Sequence, residues 1–324
     1  IEGTTMMIFR TVLLIFMLSV SVFAYAEPEP LIPKLSLPKG MTLKSIGWIQ
    51  QAYKEHKNYG STQLNGFRIK TFLETKGSFR AVGEIEFSHM DRPDTNWLRQ
   101  LYGAYKVTEK WEIRVGRLLQ PGLYPTPIPY LLQTVKYPRD VFHWYGYGVQ
   151  AKGDLGNGWS LLLEVTGNSD VTFYKEDQFR QAEFSGRLEK WIESLRLNVA
   201  TTFHVSHEFS MVGADIRYQP TEKLFFRGLV YHADYLGGEL TYGGHLLAEY
   251  KVLETKWLNG KFHTMIDYRD EETQKLHYND AILTNGITIE TKNDRWSGTI
   301  DYETYFSGDE PDKGRWLIQA QFRF

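Results

Sequence analysis

Arg315-Trp-Leu-Ile-Gln-Ala-Gln-Phe-Arg-Phe324 is the stretch whose reading decides the fold. Side chains alternate along an extended strand, so Trp316, Ile318, Ala320, Phe322 and Phe324 share one face. Arg315, Gln319, Gln321 and Arg323 share the other, with Leu317 its only apolar interruption. One face is made for an apolar medium and one for water. A sandwich strand would show the same alternation, so the rest of the chain has to decide.

The rhythm repeats upstream. Phe79, Ala81, Gly83, Ile85 and Phe87 oppose Arg80, Glu84 and Glu86; Leu101, Gly103, Tyr105 and Val107 oppose Gln100, Tyr102 and Lys106. Tyr242, Gly244, Leu246, Ala248 and Tyr250 oppose His245 and Glu249. Counted from a weakly patterned first segment at about Thr42 to Tyr53, the period-two segments number sixteen, to within two. Every second connection is short: Thr75–Gly77, Thr108–Lys110, Gly153–Gly158, Glu189–Glu193, Gln219–Glu222, Leu253–Asn259 and Lys292–Asp294. The longest connections fall in the other set. Leu118 to His143, with no alternation, is the longest.

Sixteen one-sided apolar faces with no helix to cover them need a common apolar medium. A cylinder closed in lipid supplies it and leaves no strand edge unpaired. Composition agrees: 28 Gly, 20 Tyr, 19 Phe and 9 Trp, many of the aromatics at strand ends (Trp111, Trp159, Trp296, Trp316, Tyr218, Tyr250, Tyr268) as interfacial girdles require. Mean hydropathy is −0.39, as expected when only alternate residues meet lipid. A net charge of −2 gives no case for nucleic acid, and the absence of Cys removes disulfides and a lipid-bearing thiol.

The start of the chain predicts export. Arg10 precedes the apolar run Thr11–Val22, and Ala24-Tyr-Ala26 is a small-x-small cleavage site. Residues 1–26 read as a signal peptide with upstream residues, 27–40 as a Pro-rich periplasmic lead-in, and 41–324 as a transmembrane antiparallel β-barrel.

With its terminal Phe324, the Trp316, Ile318, Phe322, Phe324 face resembles the C-terminal signal strand of bacterial outer-membrane barrels, which closes the barrel and is read by the assembly machinery. The long irregular segment, entered by Arg114-Val-Gly-Arg117 and Gln120-Pro121, is similar to the approach to the third extracellular loop of Gram-negative porins, general and anion-selective. That resemblance implies a loop folded into the lumen, a water-filled channel for small hydrophilic solutes or for anions such as phosphate, and a homotrimer in contact with outer-membrane lipid and lipopolysaccharide. It implies neither cofactor nor metal. The porins' acidic constriction motif is not clear here: Asp140 is the loop's acid, beside Lys136, Arg139 and His143.

Strand parity places Arg68, Lys70, Arg80, Arg114, Arg196 and Arg295 on the inner wall with Asp267, Asp301 and Glu303. The expected constriction is Arg68, Lys70, Arg80, Arg114 and Arg117 with the loop's Lys136, Arg139 and Asp140, set against Asp267, Asp301 and Glu303. The alternative is that these charges pair along the wall and hold it together. His204-Val-Ser-His207 reads as a pair of solvated loop histidines rather than a metal site. A barrel enzyme, or a plugged barrel serving adhesion or envelope integrity, are the readings of another class.

Overall fold

The computed structural model describes residues 41–56, 59–75, 77–88, 98–121, 145–167, 182–206, 209–235, 240–272, 277–293, 295–306 and 314–323. The proposed signal peptide, the lead-in, Phe324 and the greater part of the long loop lie outside these. The strands are β1 (Met41–His56), β2 (Tyr59–Thr75), β3 (Phe79–Ser88), β4 (Leu98–Lys106), β5 (Trp111–Leu119), β6 (Tyr145–Gly156), β7 (Trp159–Gly167) and β8 (Ala182–Ile192). They continue as β9 (Leu197–Val205), β10 (Phe209–Tyr218), β11 (Leu224–Tyr235), β12 (Leu240–Glu254), β13 (Leu258–Glu272), β14 (His277–Thr291), β15 (Trp296–Tyr305) and β16 (Gly314–Arg323).

Each strand pairs antiparallel with its sequence neighbours, and β1 pairs with β16, from Trp48 opposite Arg323 to Lys54 opposite Leu317, so the sheet closes on itself. The weakly patterned first segment is therefore the partner of the strongly patterned last one. Sixteen strands about 4.8 Å apart and tilted by about 40° make a cylinder roughly 30 Å across.

Alternation sorts the residues as the sequence predicts. Along β12, Tyr242, Leu246 and Tyr250 are exposed outward while His245 and Leu247 are buried inward. Valines, leucines and isoleucines fill the outer mid-wall, among them Val115, Val149, Val230, Leu246 and Ile266. Aromatic rings cluster toward both rims. At the short-turn end Trp296 and Phe322 lie 4.5 Å apart; at the other end Tyr302 and Trp316 lie 4.8 Å apart. Near that second rim Tyr242 and Tyr268 donate their hydroxyls to Asp270, at 2.6 and 3.1 Å, which holds the rings at a polar boundary.

The short turns have a shared chemistry. The hydroxyls of Thr108, Thr221 and Thr255 each accept two backbone N–H groups from the residues that follow, at 2.9–3.3 Å. These are side-chain-closed turns of the kind Thr favours. The β6–β7 turn instead uses Gly156, Asn157 and Gly158, all at positive φ (84°, 51° and 78°). It is tighter than expected: β6 runs on to Gly156 rather than ending at Gly153. The β8–β9 turn is shifted to a single 3₁₀ turn, Glu193–Leu195, closed by Arg196 at φ 48°. Arg196 thus belongs to a turn and not to the inner wall, because the helical turn takes up the residues that parity assigned to β9. Arg295 likewise sits in the bend before β15, its N–H on Asn293.

Gly116 in β5 has φ 137°, and a Cβ there would come 2.8 Å from Tyr102 Cα and closer still to the Leu101 carbonyl oxygen. Only glycine fits this position at no cost. Gly116→Ala is expected to destabilise the refolded barrel by about 2 kcal/mol, from strain and clash together. Urea unfolding followed by tryptophan fluorescence checks this, with Gly83→Ala, where nothing crowds a Cβ, as the near-neutral comparison.

Candidate functional site

The inner wall carries the chemistry. In a cylinder of this width side chains from opposite walls do not meet, so charged groups on the wall satisfy one another locally or face water.

On β2 to β6 they form a connected run. Lys70 on β2 reaches Glu84 on β3 at 2.9 Å and Gln100 on β4 at 3.0 Å. Arg80 on β3 donates to both oxygens of Glu112 on β5, at 3.0 and 3.2 Å. Arg114, two residues along the same face of β5, donates to Glu112 at 2.6 Å and to the Gln150 amide oxygen on β6 at 2.8 Å. Its guanidinium lies 5.7 Å from the Tyr102 ring. The Gln150 amide nitrogen donates in turn to Glu164 on β7 and to the Leu119 carbonyl at 3.2 Å. Three expected constriction cations, Lys70, Arg80 and Arg114, are therefore brought together, each on a wall carboxylate.

The chain leaves β5 on the inner side. Gln120 is buried, and its amide donates to Thr166 on β7 at 3.0 Å and to Glu183 on β8 at 2.8 Å. The root of the long segment thus lies against the inner face, three strands along from β5. Beside it His204 on β9 faces inward, 3.7 Å from Glu183 and wholly buried. This corrects the expectation of a loop histidine: β9 extends through His204, and the same parity that buries Asn198, Ala200 and Thr202 buries it too.

A second run crosses β8 to β10. Arg187 holds Asp215 two-pronged, its Nη2 at 2.9 Å from Oδ1, and also donates to Glu189 at 3.1 Å and Thr202 at 3.2 Å. The bond spans β9 from above, over the small Thr202 side chain. A third run covers β13 to β16. His263 meets Asp301 at 2.7 Å over Gly286, and Glu303 receives Arg315 and, at 2.8 Å, the Tyr305 hydroxyl.

The remaining expected site residues fall as follows. Arg68 stands opposite Glu86 in the β2–β3 register, its side chain outside the described residues. Arg117 stands opposite the exposed Leu101 and Tyr147 in the register but is itself buried, 4% exposed, with its guanidinium 5.2 Å from the Tyr147 ring. Lys136, Arg139 and Asp140 lie outside the described residues. Asp267 is buried on the inner face of β13, eight strands round from Arg114 and so on the opposite wall. Glu112, Glu164, Arg187 and Lys152 belong to the wall as well and were not among the expected residues, although their even or odd positions in β5 to β8 carried the signal. The inner face also holds apolar side chains that alternation did not foresee, among them Leu118, Leu229, Leu247, Met265 and Ile282, all below 5% exposed.

No protein-family model matches the chain. No curated protein matches it in sequence. Solved structures match it in fold. The outer membrane channel DcaP of Acinetobacter baumannii superposes with a TM-score of 0.63 at 12% identity, over 90% of this chain and 100% of its own. The in-vitro folded trimer form of OmpT, an outer membrane protein of Vibrio cholerae, gives 0.62 at 10% identity, over 88% and 100%. An anion-selective porin from Comamonas acidovorans gives 0.59 at 11% identity, over 87% and 99%. The chain has the sixteen-stranded fold of the Gram-negative outer-membrane porins.

The Arg187–Asp215 pair is an enclosed salt bridge of the wall, 5% and 0% exposed. Asp215→Asn removes the buried, two-pronged partner of the guanidinium and leaves it the more exposed Glu189, and is expected to cost about 3 kcal/mol. Replacing both partners with leucine is expected to restore part of that loss. Denaturant midpoints of the three proteins compare the two.

Proposed function

We propose that the protein is an outer-membrane porin: a water-filled channel through which small hydrophilic solutes and ions diffuse passively. The observation that carries this reading is the barrel's polarity. Its outside is apolar between two aromatic rims, and its inside is lined by charged side chains in ladders along the wall. The apolar outside is suited to lipid and the charged inside to water. The fold shared with an outer membrane channel and an anion-selective porin supports a channel over an enzyme. The apolar run and cleavage site of residues 1–26 support export to the outer membrane through the assembly machinery. The trimer form of the Vibrio cholerae protein supports a homotrimer in lipid and lipopolysaccharide.

The long segment between β5 and β6 folds into the lumen in this reading. Its root supports that, since Gln120 is bonded to the inner faces of β7 and β8. The constriction is then framed by Lys70, Arg80 and Arg114 on one wall and by Asp267 opposite, with Asp301 and Glu303 further round. Opposed charge across a narrow pore bounded by low-dielectric walls orients polar solutes. Arg114 shares Glu112 with Arg80, so two guanidiniums meet one carboxylate there, which favours anions over cations.

Single-channel recording of the refolded chain in a planar bilayer tests the proposal. Ohmic steps are expected, with a reversal potential under a salt gradient that favours anions. Folded barrel without steps would sink the channel and favour a plugged barrel. Arg114→Glu sets a second carboxylate beside Glu112 and is expected to lower the anion-to-cation permeability ratio about two- to threefold. An unchanged ratio would remove Arg114 from the constriction.

A further inference from the structure

The inner wall between β2 and β10 is hollowed beneath Leu118 to Pro121 into a pocket of about 390 Å³. Its lining is of two kinds. Tyr102, Leu118 and Leu162 give it an apolar floor, which is unusual on a face that otherwise meets water. Lys70, Arg114, Lys152, Arg187 and Arg217 ring that floor with positive charge, against one lining acid, Glu189.

The cations are not equivalent. Lys70, Arg114 and Arg187 are each committed to a wall carboxylate: Glu84, Glu112 and Asp215. Glu84 is recessed with no side-chain exposure beneath Lys70, so there the cation reaches the pocket surface, whereas Arg187 is itself nearly buried and Glu189 is its more exposed partner. Both oxygens of Glu189 are already taken, one by Arg187 at 3.1 Å and one by Asn198 at 2.9 Å. Lys152 and Arg217 form no ion pair among the described residues. The Arg217 Nε is buried without a hydrogen-bond partner. Arg217 also stands directly opposite Arg227 in the β10–β11 register, a like-charge placement that costs stability. Lys152 stands opposite Glu112 and Arg217 lies within electrostatic reach of Glu189, yet neither closes an ion pair, and a basic rim of this kind around an apolar floor is built to take an anion that brings its own apolar body. Inorganic anions and short acids would use the rim and leave the floor idle.

We infer that this pocket binds carboxylates carried on a flat apolar ring, with the carboxylate on Arg217 or Lys152 and the ring on Leu162, Leu118 and Tyr102. The inference rests on the channel reading for its role, since the pocket then lies along the solute path and selects what lingers there. Ring burial on the floor supplies affinity that a small anion lacks, and the tyrosine edge and Arg114 guanidinium give the ring a polarised neighbour.

The test uses the full refolded chain, with benzoate, acetate and inorganic phosphate as probes. Reduction of the channel current by benzoate is expected at an at least fivefold lower concentration than by acetate or phosphate, roughly the gain from burying a small apolar surface. Leu162→Asn is expected to close most of that gap while leaving acetate block as it was. Arg217→Gln is expected to weaken benzoate block about fivefold. Equal block by the three anions, or a gap that survives Leu162→Asn, would overturn the inference. Calorimetric titration of benzoate into the barrel in detergent separates the two readings. Binding without current would sink the channel and keep the pocket, whereas current without binding would sink the pocket and keep the channel.

Discussion

Closure of the sheet is the constraint on which the rest depends. A sixteen-stranded open sheet would leave two rows of unpaired N–H and C=O groups, intolerable in lipid and adhesive in water. The pairing of β1 with β16 removes both rows at once. It also fixes the circumference, and circumference fixes width. A cylinder roughly 30 Å across is too wide for wall side chains to pack across it. The interior therefore cannot be a hydrophobic core of the usual kind, and its polar residues have to be satisfied along the wall rather than across it.

The ladders follow from that requirement. Neighbouring inward positions lie about 5 Å apart across strands, within reach of Lys and Arg, so cations and carboxylates interleave. Where a small residue intervenes, a bond can skip a strand, as Arg187 does over Thr202 to reach Asp215 and His263 does over Gly286 to reach Asp301. Short acids at the foot of a long guanidinium end up recessed while the cation's donors remain near the lumen. A wall that is close to neutral by count is thereby positive at its surface wherever arginine and lysine serve as the outer partner. Lys70 over Glu84 and Arg315 over Glu303 show it, each cation one-quarter exposed above a wholly buried acid.

The outer surface was legible in the sequence because it depends on period-two alternation alone. Strand number, the short-turn end and the two aromatic rims all follow from that and from turn residues such as Thr108, Thr221 and Thr255. The inner wall was legible only in part. Parity named Lys70, Arg80, Arg114, Asp267, Asp301 and Glu303 as inward, but partners depend on register, which a residue count does not supply: Lys70 meets Glu84 because β2 and β3 pair Lys70 opposite Glu84. Arg196 was misplaced because a 3₁₀ turn consumed the residues that would have continued the alternation, and His204 because β9 runs further than its polar neighbours indicated. Inward Leu247, Met265 and Ile282 broke the expectation of a polar inner face, since parity tells which way a side chain points and not what surrounds it.

A further exception lies at the end of β5. Gly116 takes a backbone conformation closed to other residues, within 3 Å of where Tyr102 would meet a side chain. Past it the even positions keep the inward parity of Glu112 and Arg114, while Arg117, opposite the exposed Leu101 and Tyr147, is buried as well. Leu118 is buried inward, the Leu119 carbonyl is held by Gln150, and Gln120 is fastened to Thr166 and Glu183. Gln150 is also the acceptor for Arg114, so one amide couples the position of the segment's root to that of a wall cation. The strained glycine, the root of the long segment, the amide that holds it and the Arg114 guanidinium are thus gathered at one place on the wall, the last three joined by successive hydrogen bonds, so that a change in the backbone at the end of β5 is felt at a charged side chain of the inner face.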